Sequence, residues 1–561
     1  MDTNRRSINS TIMTFGLLLI SLFGCRAAPS TLLGEDRLPT PPVPVLVTAQ
    51  PFNKPTACTG HFVLHPLDHL TTTRDGIVRM FAANGAGLAI HDLDNDGDLD
   101  LVLGSEHGPN SIFWHEGALT FFKTELGSGP TRAITILDID GDGLRDLVLT
   151  TNTGVLNYWH NQGGRSFTKE TLPGIANPAY VINWGDLDND GDLDLVTASY
   201  DAGFLTDRGN NYLLERQGGV FVYTNDQGRF RPTRLAQAAQ ALALGLFDLN
   251  QDQRPDILVG NDFAVRDQAW LNSAEGWQAV DPFATTAYST MSLDQGDLDN
   301  DGRPELFAAD MNPYDIAPAT MAAWLPVIAN MERGLVRVHD DPQEMANVLQ
   351  TSNNVGGWRE AAQAWGVAAT GWSWSSKFGD LDNDGYLDLY VVNGMIEAGT
   401  FQHLPNHELV EENQVFRNEQ GRRFQPMPAW GLNSTASGRS MGMADFDQDG
   451  DLDIVVNPLR SPAQLFENQL CGGGSVEVNL HWLGVQNQDA VGATVTLMTS
   501  RGNFYRDVRL LSGYLSGDST RLHFGVPAGA TVEQLLVRWP DGAMSVVAPI
   551  KQGEHVIVGR N

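Results

Sequence analysis

An acidic nine-residue pattern recurs seven times in this chain, with oxygen-bearing side chains at positions 1, 3, 5 and 9 and a glycine at position 6 in six copies. The first copy places Asp92, Asp94, Asp96 and Asp100 around Gly97, and the second Asp138, Asp140, Asp142 and Asp146 around Gly143. The third has Asp186, Asp188, Asp190 and Asp194 with Gly191. The fourth is degenerate: Asp248, Asn250, Asp252 and Asp256, with Gln253 at the turn. Then come Asp297, Asp299, Asp301 and Glu305; Asp380, Asp382, Asp384 and Asp388; and Asp445, Asp447, Asp449 and Asp453. Alternate residues of a curled loop aim at one centre, and Ca²⁺ takes roughly six to eight hard oxygens. Glycine permits the sharp turn. An EF-hand would need a Glu at position 12 and flanking helices, whereas Leu103 stands there and the flanks are β-type runs such as Leu101-Val102-Leu103 and Ile454-Val455-Val456. Up to seven structural Ca²⁺ are expected, the fourth loop being the least suited to hold one.

Charge fits this reading. The chain has 36 Lys and Arg against 68 Asp and Glu, for a formal charge of −32, which seven Ca²⁺ would bring to −18. Without an ion, each carboxylate cluster would repel itself. The acidic balance excludes a nucleic-acid binder, which needs a basic footprint. A 42% apolar fraction excludes a disordered chain, and three cysteines exclude a small disulfide scaffold or a zinc module.

The loops start 46, 48, 62, 49, 83 and 65 residues apart. Such periods suit four-stranded blades closed into a ring without exposed sheet edges. A second marker lies between loops: Trp159-His-Asn161 before Phe167, Trp270-Leu-Asn272 before Trp277, and Phe416-Arg-Asn418 before Phe424. It reads as a hairpin whose aromatic packs between blades. The expected fold is all-β: a seven-bladed propeller over residues 58–470, an eighth loopless blade remaining open, and a small β-domain over 471–561 with turn signals such as Pro540-Asp541-Gly542.

The N-terminus reads as an address. Arg5 and Arg6 precede an apolar run from Ile12 to Phe23, too short to span a bilayer, that ends at Cys25. Leu22-Phe23-Gly24-Cys25 resembles the lipobox of bacterial lipoproteins, which implies that residues 1–25 are a lipoprotein-type signal segment, with Cys25 lipidated as the mature N-terminus. An ordinary signal peptide is the other reading, and either implies export. Residues 26–57, with Pro39, Pro41, Pro42, Pro44, Pro51 and Pro55, read as an extended tether. Cys58 and Cys471 flank the repeats, and in an oxidising compartment they are expected to form a disulfide.

The loops resemble FG-GAP/VCBS repeats, as in integrin α-subunit propellers. The tail resembles the ASPIC/UnbV domain of cartilage acidic protein and its bacterial relatives, through Asn487-Gln-Asp-Ala-Val491-Gly492-Ala493, Ser512-Gly513-Tyr514, Leu522-His-Phe524-Gly525 and Val537-Arg-Trp539-Pro540-Asp541-Gly542. Gly371-Trp372-Ser373-Trp374 matches bacterial members of that family. The resemblance implies extracellular calcium binding and an adhesion-type role, with no reaction to assign.

Long connections on a rigid scaffold favour binding loops. Met311 to Gln350 is one, with a helix-like stretch from Thr320 to Met331 interrupted by Pro326, and Ile396 to Asn413 is another. Gly438-Arg-Ser440-Met-Gly442 fits the esterase pattern, but that pattern needs a strand-to-helix elbow and here it precedes a calcium loop. His61, His65 and His69 have helical spacing, which Pro66 interrupts. No catalytic residue is assigned. The expected function is a surface-anchored module, on the membrane through a lipid anchor only, that binds extracellular protein or glycan. The alternatives are an exported enzyme such as a polysaccharide lyase, or an accessory protein of natural-product biosynthesis.

Overall fold

A computed structural model describes residues 41–561 except 56, 209–216, 264, 335–340 and 353–356. The apolar run, Cys25 and most of the expected tether lie outside the described residues. Among the described residues, no helix is long and apolar enough to cross a membrane.

Seven sheets, antiparallel within each blade, each carry one acidic loop between the blade's innermost strand and the next. The innermost strands are Leu88–His91, Thr131–Leu137, Val181–Gly185, Ala241–Phe247, Ser292–Gly296, Gly371–Gly379 and Ser440–Ala444. They pack side by side in chain order, and the last returns to the first, closing a ring. These inner strands are buried almost throughout, as in Thr131–Leu137, whereas an outer strand such as Phe167–Glu170 is largely exposed. Continuous apolar runs are what a strand covered on both faces requires. The seventh sheet borrows its outer strand, Val63–Leu70, from the start of the chain, antiparallel to Pro462–Glu467. The aromatic marker packs between blades as expected. Trp159 and Phe167 join a core with Leu93, Val102 and Trp114 of the first blade, and Phe167 stacks on Trp114 at 6.2 Å.

The tail is a two-sheet β-domain. One sheet orders Leu46–Pro51, Glu554–Arg560, Gly474–Trp482 and Leu522–Val526; the other orders Gly502–Asp507, Thr494–Thr499, Val532–Arg538 and Met544–Val547. Part of the expected extended tether is a strand of this sheet: residues 46–51 pair along the last strand. Its prolines fall at 44 and at the strand end, 51, leaving the N–H groups between them free to pair.

Between its two sheets the tail sends a hairpin into the axis of the propeller. Leu511–Ser512 pairs with Ser516–Gly517, which runs parallel to Leu88–Ala89 on the inner edge of the first blade. Gly513 bridges to Leu293 of the fifth blade. The approach at Gly517 is so close that a Cβ would stand 2.6 Å from both Ala89 Cβ and the Ile134 carbonyl. At the tip Tyr514 is fully buried, donates to the Asn84 carbonyl at 2.9 Å and packs on Trp374 at 5.2 Å. Two separate sequence signals, Ser512-Gly513-Tyr514 and Gly371-Trp372-Ser373-Trp374, are thus halves of one contact.

Cys58 and Cys471 form a disulfide with Cα atoms 5.5 Å apart, beside the seventh blade. Replacing both with serine is expected to lower stability by ~2–4 kcal/mol, measured by denaturant unfolding against the oxidised parent. An unchanged midpoint would mean that strand pairing alone holds the closure.

The helix in the long insertion runs through Pro326, from Pro318 to Gly334, correcting the expected break. Tertiary anchoring offsets the hydrogen bond lost at proline. Trp324 is buried, donates to Glu411 Oε1 at 2.9 Å and packs on Trp372 at 5.4 Å. Glu411 Oε2 accepts the Trp372 amide at 2.7 Å, and burial pushes this carboxyl up to about 7. The second insertion joins the same cluster through Phe401, 5.2 Å from Trp372. Glu411→Ala strands two buried donors, so a loss of about 1–3 kcal/mol is expected, with faster proteolysis in the helix.

Candidate metal centres

The seven loops share one backbone solution. The position-1 carboxylate folds back to accept loop amides: Asp92 takes those of Asp96 and Gly97 at 3.2 and 3.0 Å, and Asp445 those of Asp449 and Gly450 at 3.1 and 2.7 Å. Position 4 is left-handed throughout, with φ from 55° at Asn383 to 77° at Gly141, a region that Asn and Gly tolerate best. The position-9 carboxylate is clamped by two amides. Asp100 accepts from Leu93 at 2.9 Å and His115 at 2.8 Å, and Asp453 from Phe446 at 3.0 Å and Asn468 at 2.8 Å.

Carboxylates from positions 1, 3 and 9 converge at Asp138, Asp140 and Asp146, at Asp186, Asp188 and Asp194, and at Asp297, Asp299 and Glu305; positions 1, 3 and 5 do so at Asp92, Asp94 and Asp96. Within each group, ligand atoms lie within 4.8 Å of one another. Each cluster could hold a metal ion. Oδ1 of Asp94 and of Asp382 is buried without a hydrogen-bond partner among the described residues, as an oxygen reserved for a cation would be. The degenerate fourth loop folds like the rest, Gln253 adopting φ 72° where the other loops use glycine. There Asn250 Nδ2 donates to Asp252 Oδ2 at 3.1 Å, so part of the charge is met from within.

Burial, and beside it neighbouring carboxylates, raises these acids. Asp100 and Asp194 rise to about 8 and Glu305 to about 9, against the pull of the amides they accept. Asp380, Asp388, Asp445 and Asp453 are pushed well above the usual range for the same reasons.

The loops are also tied to one another. Asn95 donates to the Gly143 carbonyl of the next loop at 3.0 Å, Asn300 to that of Gly385 at 3.1 Å, and Asn383 to that of Gly450 at 3.2 Å. Gln448 reaches Asp98 of the first loop at 2.6 Å. The marker asparagines add a second set of ties. Asn161 donates to the Leu93 carbonyl at 2.9 Å, Asn272 to that of Leu187 at 2.7 Å and Asn418 to that of Leu298 at 2.8 Å, each across to an earlier blade. Arg165 pairs with Asp94 at 2.8 Å, and Arg417 with Asp382 and Asp384 at 2.7 and 2.9 Å. The sequence marks these asparagines by their recurrence, but their targets belong to neighbouring blades.

The tail covers this loop face. Gln486 donates to the carbonyls of Asp138 and Ile139, both at 2.7 Å, and Gln488 to that of Gly141 at 2.9 Å. Arg521 reaches the Gly97 carbonyl at 2.9 Å, and the Gly473 amide reaches that of Asp382 at 3.1 Å. Asp489 is buried in an ion pair with Arg145, from the second loop. Two other motifs of the sequence fall in strands. Ser440 is buried in an inner strand and donates to the Ala86 carbonyl at 2.8 Å. His65 and His69 lie in a strand, His65 facing Glu467 at 2.7 Å and His69 facing Ser111 at 2.8 Å.

The FG-GAP-like repeat model matches residues 92–149, 138–197, 248–308, 336–391 and 406–456, which together contain all seven loops. The ASPIC and UnbV model matches residues 484–560. No curated protein matches the sequence. Among solved structures, BBS1N in complex with ARL6DN is similar at a TM-score of 0.40 and 9% identity over 73% of this chain and 96% of that one. The Bacillus licheniformis rhamnogalacturonan lyase PL11 is similar at 0.34 and 15%, over 73% and 76%. The chain is an FG-GAP-repeat β-propeller protein with a C-terminal ASPIC/UnbV domain.

Proposed function

We propose that this is an exported, lipid-anchored propeller, held rigid by Ca²⁺ in its acidic loops, that binds extracellular protein or glycan. The observation that carries the reading is the construction of the loop face: converging carboxylates tied loop to loop and covered by the tail, a design for stiffness. FG-GAP repeats commonly bind Ca²⁺, which supports the choice of ion. The disulfide supports an oxidising compartment. Lyase chemistry would need a base in a cationic cleft. The phenol lining the interdomain cleft, Tyr505, is pushed further up by burial and by Asp507, away from base behaviour at neutral pH. A screen against glycans and extracellular proteins, run beside lyase and esterase assays, is expected to give binding without turnover. Turnover without binding partners would overturn the reading.

A further inference from the structure

A cleft of about 460 Å³ separates the loop face of the third to fifth blades from the tail. That volume lies within the span of ligand sites, roughly 300–1,000 Å³. We propose that it binds an anionic saccharide, a uronate or sulfated sugar chain. The proposal rests on the reading of the chain as a binding module and names the chemistry that one site would take.

Among the side chains that line the cleft, three kinds bear on a saccharide. Trp358 is a half-buried aromatic on the wall, beside the buried rings of Trp184 and Phe247, and the Trp184 indole N–H has no hydrogen-bond partner among the described residues. Asn189, Gln251 and Gln253 are exposed at the cleft, and their side-chain amides make no hydrogen bond among the described residues. Each offers a donor and an acceptor together, as a hydroxyl pair needs. Arg254, Arg303 and Arg538 supply cations, of which Arg254 and Arg538 form no ion pair among the described residues.

The cations are placed by a local departure from the repeat. Position 7 is Asp98, Leu144, Asp192, Tyr386 or Asp451 in five loops, but Arg-Pro fills positions 7 and 8 in two adjacent ones, Arg254-Pro255 and Arg303-Pro304. All four residues line the cleft, opposite Arg538 of the tail. A planar guanidinium matches carboxylate or sulfate oxygens two at a time. Of the acids on the walls, Asp186 and Asp248 head the third and fourth loops, and Asp507 accepts from Gln295 at 3.2 Å. The remaining basic residue, Arg509, is held by Asp294 at 2.7 Å.

The test is calorimetric titration of the full chain, in calcium, with oligogalacturonate, a sulfated heparin-type oligosaccharide and a neutral cello-oligosaccharide. At least one anionic probe is expected to bind, the neutral one weakly, with affinity falling as salt rises. Arg254→Gln with Arg538→Gln should weaken the anionic probe about tenfold or more, while Arg229→Gln, on an exposed outer strand, should not. Equal Tm values for the variants and the parent would exclude misfolding as the cause. Anionic binding untouched by the double variant overturns the cleft assignment, as does exclusive binding of neutral glycan or protein, and both leave the binding-module reading standing. Absence of any ligand in this titration and in the wider screen overturns both.

Discussion

Chelating calcium with excess EDTA is expected to lower the melting temperature of this protein by about 10 °C or more. An ion present at 100 times its Kd contributes about 2.7 kcal/mol per site. A few filled loops then rival the roughly 5–15 kcal/mol of a whole domain. Removal also leaves buried carboxylates facing each other, and the loop-to-loop hydrogen bonds carry the damage around the ring. pH sets the size of the gap. Carboxyls such as Asp100, raised to about 8, and Glu305, raised to about 9, bind protons more tightly folded than unfolded. In the chelated protein that linkage favours the fold at low pH and is lost as pH rises through those values. Protons also compete with the metal for the same oxygens. The difference in Tm between calcium-loaded and chelated protein should therefore widen from pH 5 to pH 8. Scanning calorimetry at both pH values, with metal analysis of the folded protein, checks this. Identical Tm values with and without EDTA, or folded protein free of calcium, would remove the ion from the account.

Tyr514→Ala is expected to cost about 3–5 kcal/mol, in the range of large aromatic truncations. The ring sits fully buried against Trp374, and its hydroxyl meets the Asn84 carbonyl. Above Trp374 lies the Arg439 guanidinium, 4.2 Å from the ring centre, held by the Ala83 carbonyl at 2.6 Å, so the void would open beside a buried cation. Tyr514→Phe keeps the ring and should cost only about 1 kcal/mol. Denaturant unfolding of the pair separates packing from the hydroxyl. Limited proteolysis should cut the alanine variant faster than the parent at the hairpin. An alanine variant as stable as the parent would mean that the hairpin merely rests in the axis.

The loops were legible because each is local: nine residues contain their own turn, their own donors and their own acceptors. The fold class followed from their regular spacing, and the pairing of Cys58 with Cys471 from their position at the two ends of the repeats. What escaped depends on residues far apart in sequence. Tyr514 and Trp374 lie in motifs visible one at a time, but nothing local says that one enters the axis to meet the other. Pro326 argued for a broken helix, and Trp324 bound to Glu411 outweighs it. The six prolines of residues 26–57 suggested an extended tether, although Val47 to Gln50, between Pro44 and Pro51, belongs to a pairing strand. Arg254 and Arg303 gain meaning only when adjacent blades set both beside Arg538.

The strand that seals the wheel, Val63–Leu70, waits for a neighbour made some four hundred residues later. Until residue 467 has emerged, an incomplete chain presents the raw margins of six finished sheets and one unfinished, the kind of surface that invites wrong partners. The tail emerges last of all, yet its hairpin must lodge at the hub. Assembly therefore ends with either a late insertion into a finished annulus or a late tightening of the annulus around a guest already seated. Refolding of a version cut short before residue 471, compared with the whole protein, would tell those two routes apart.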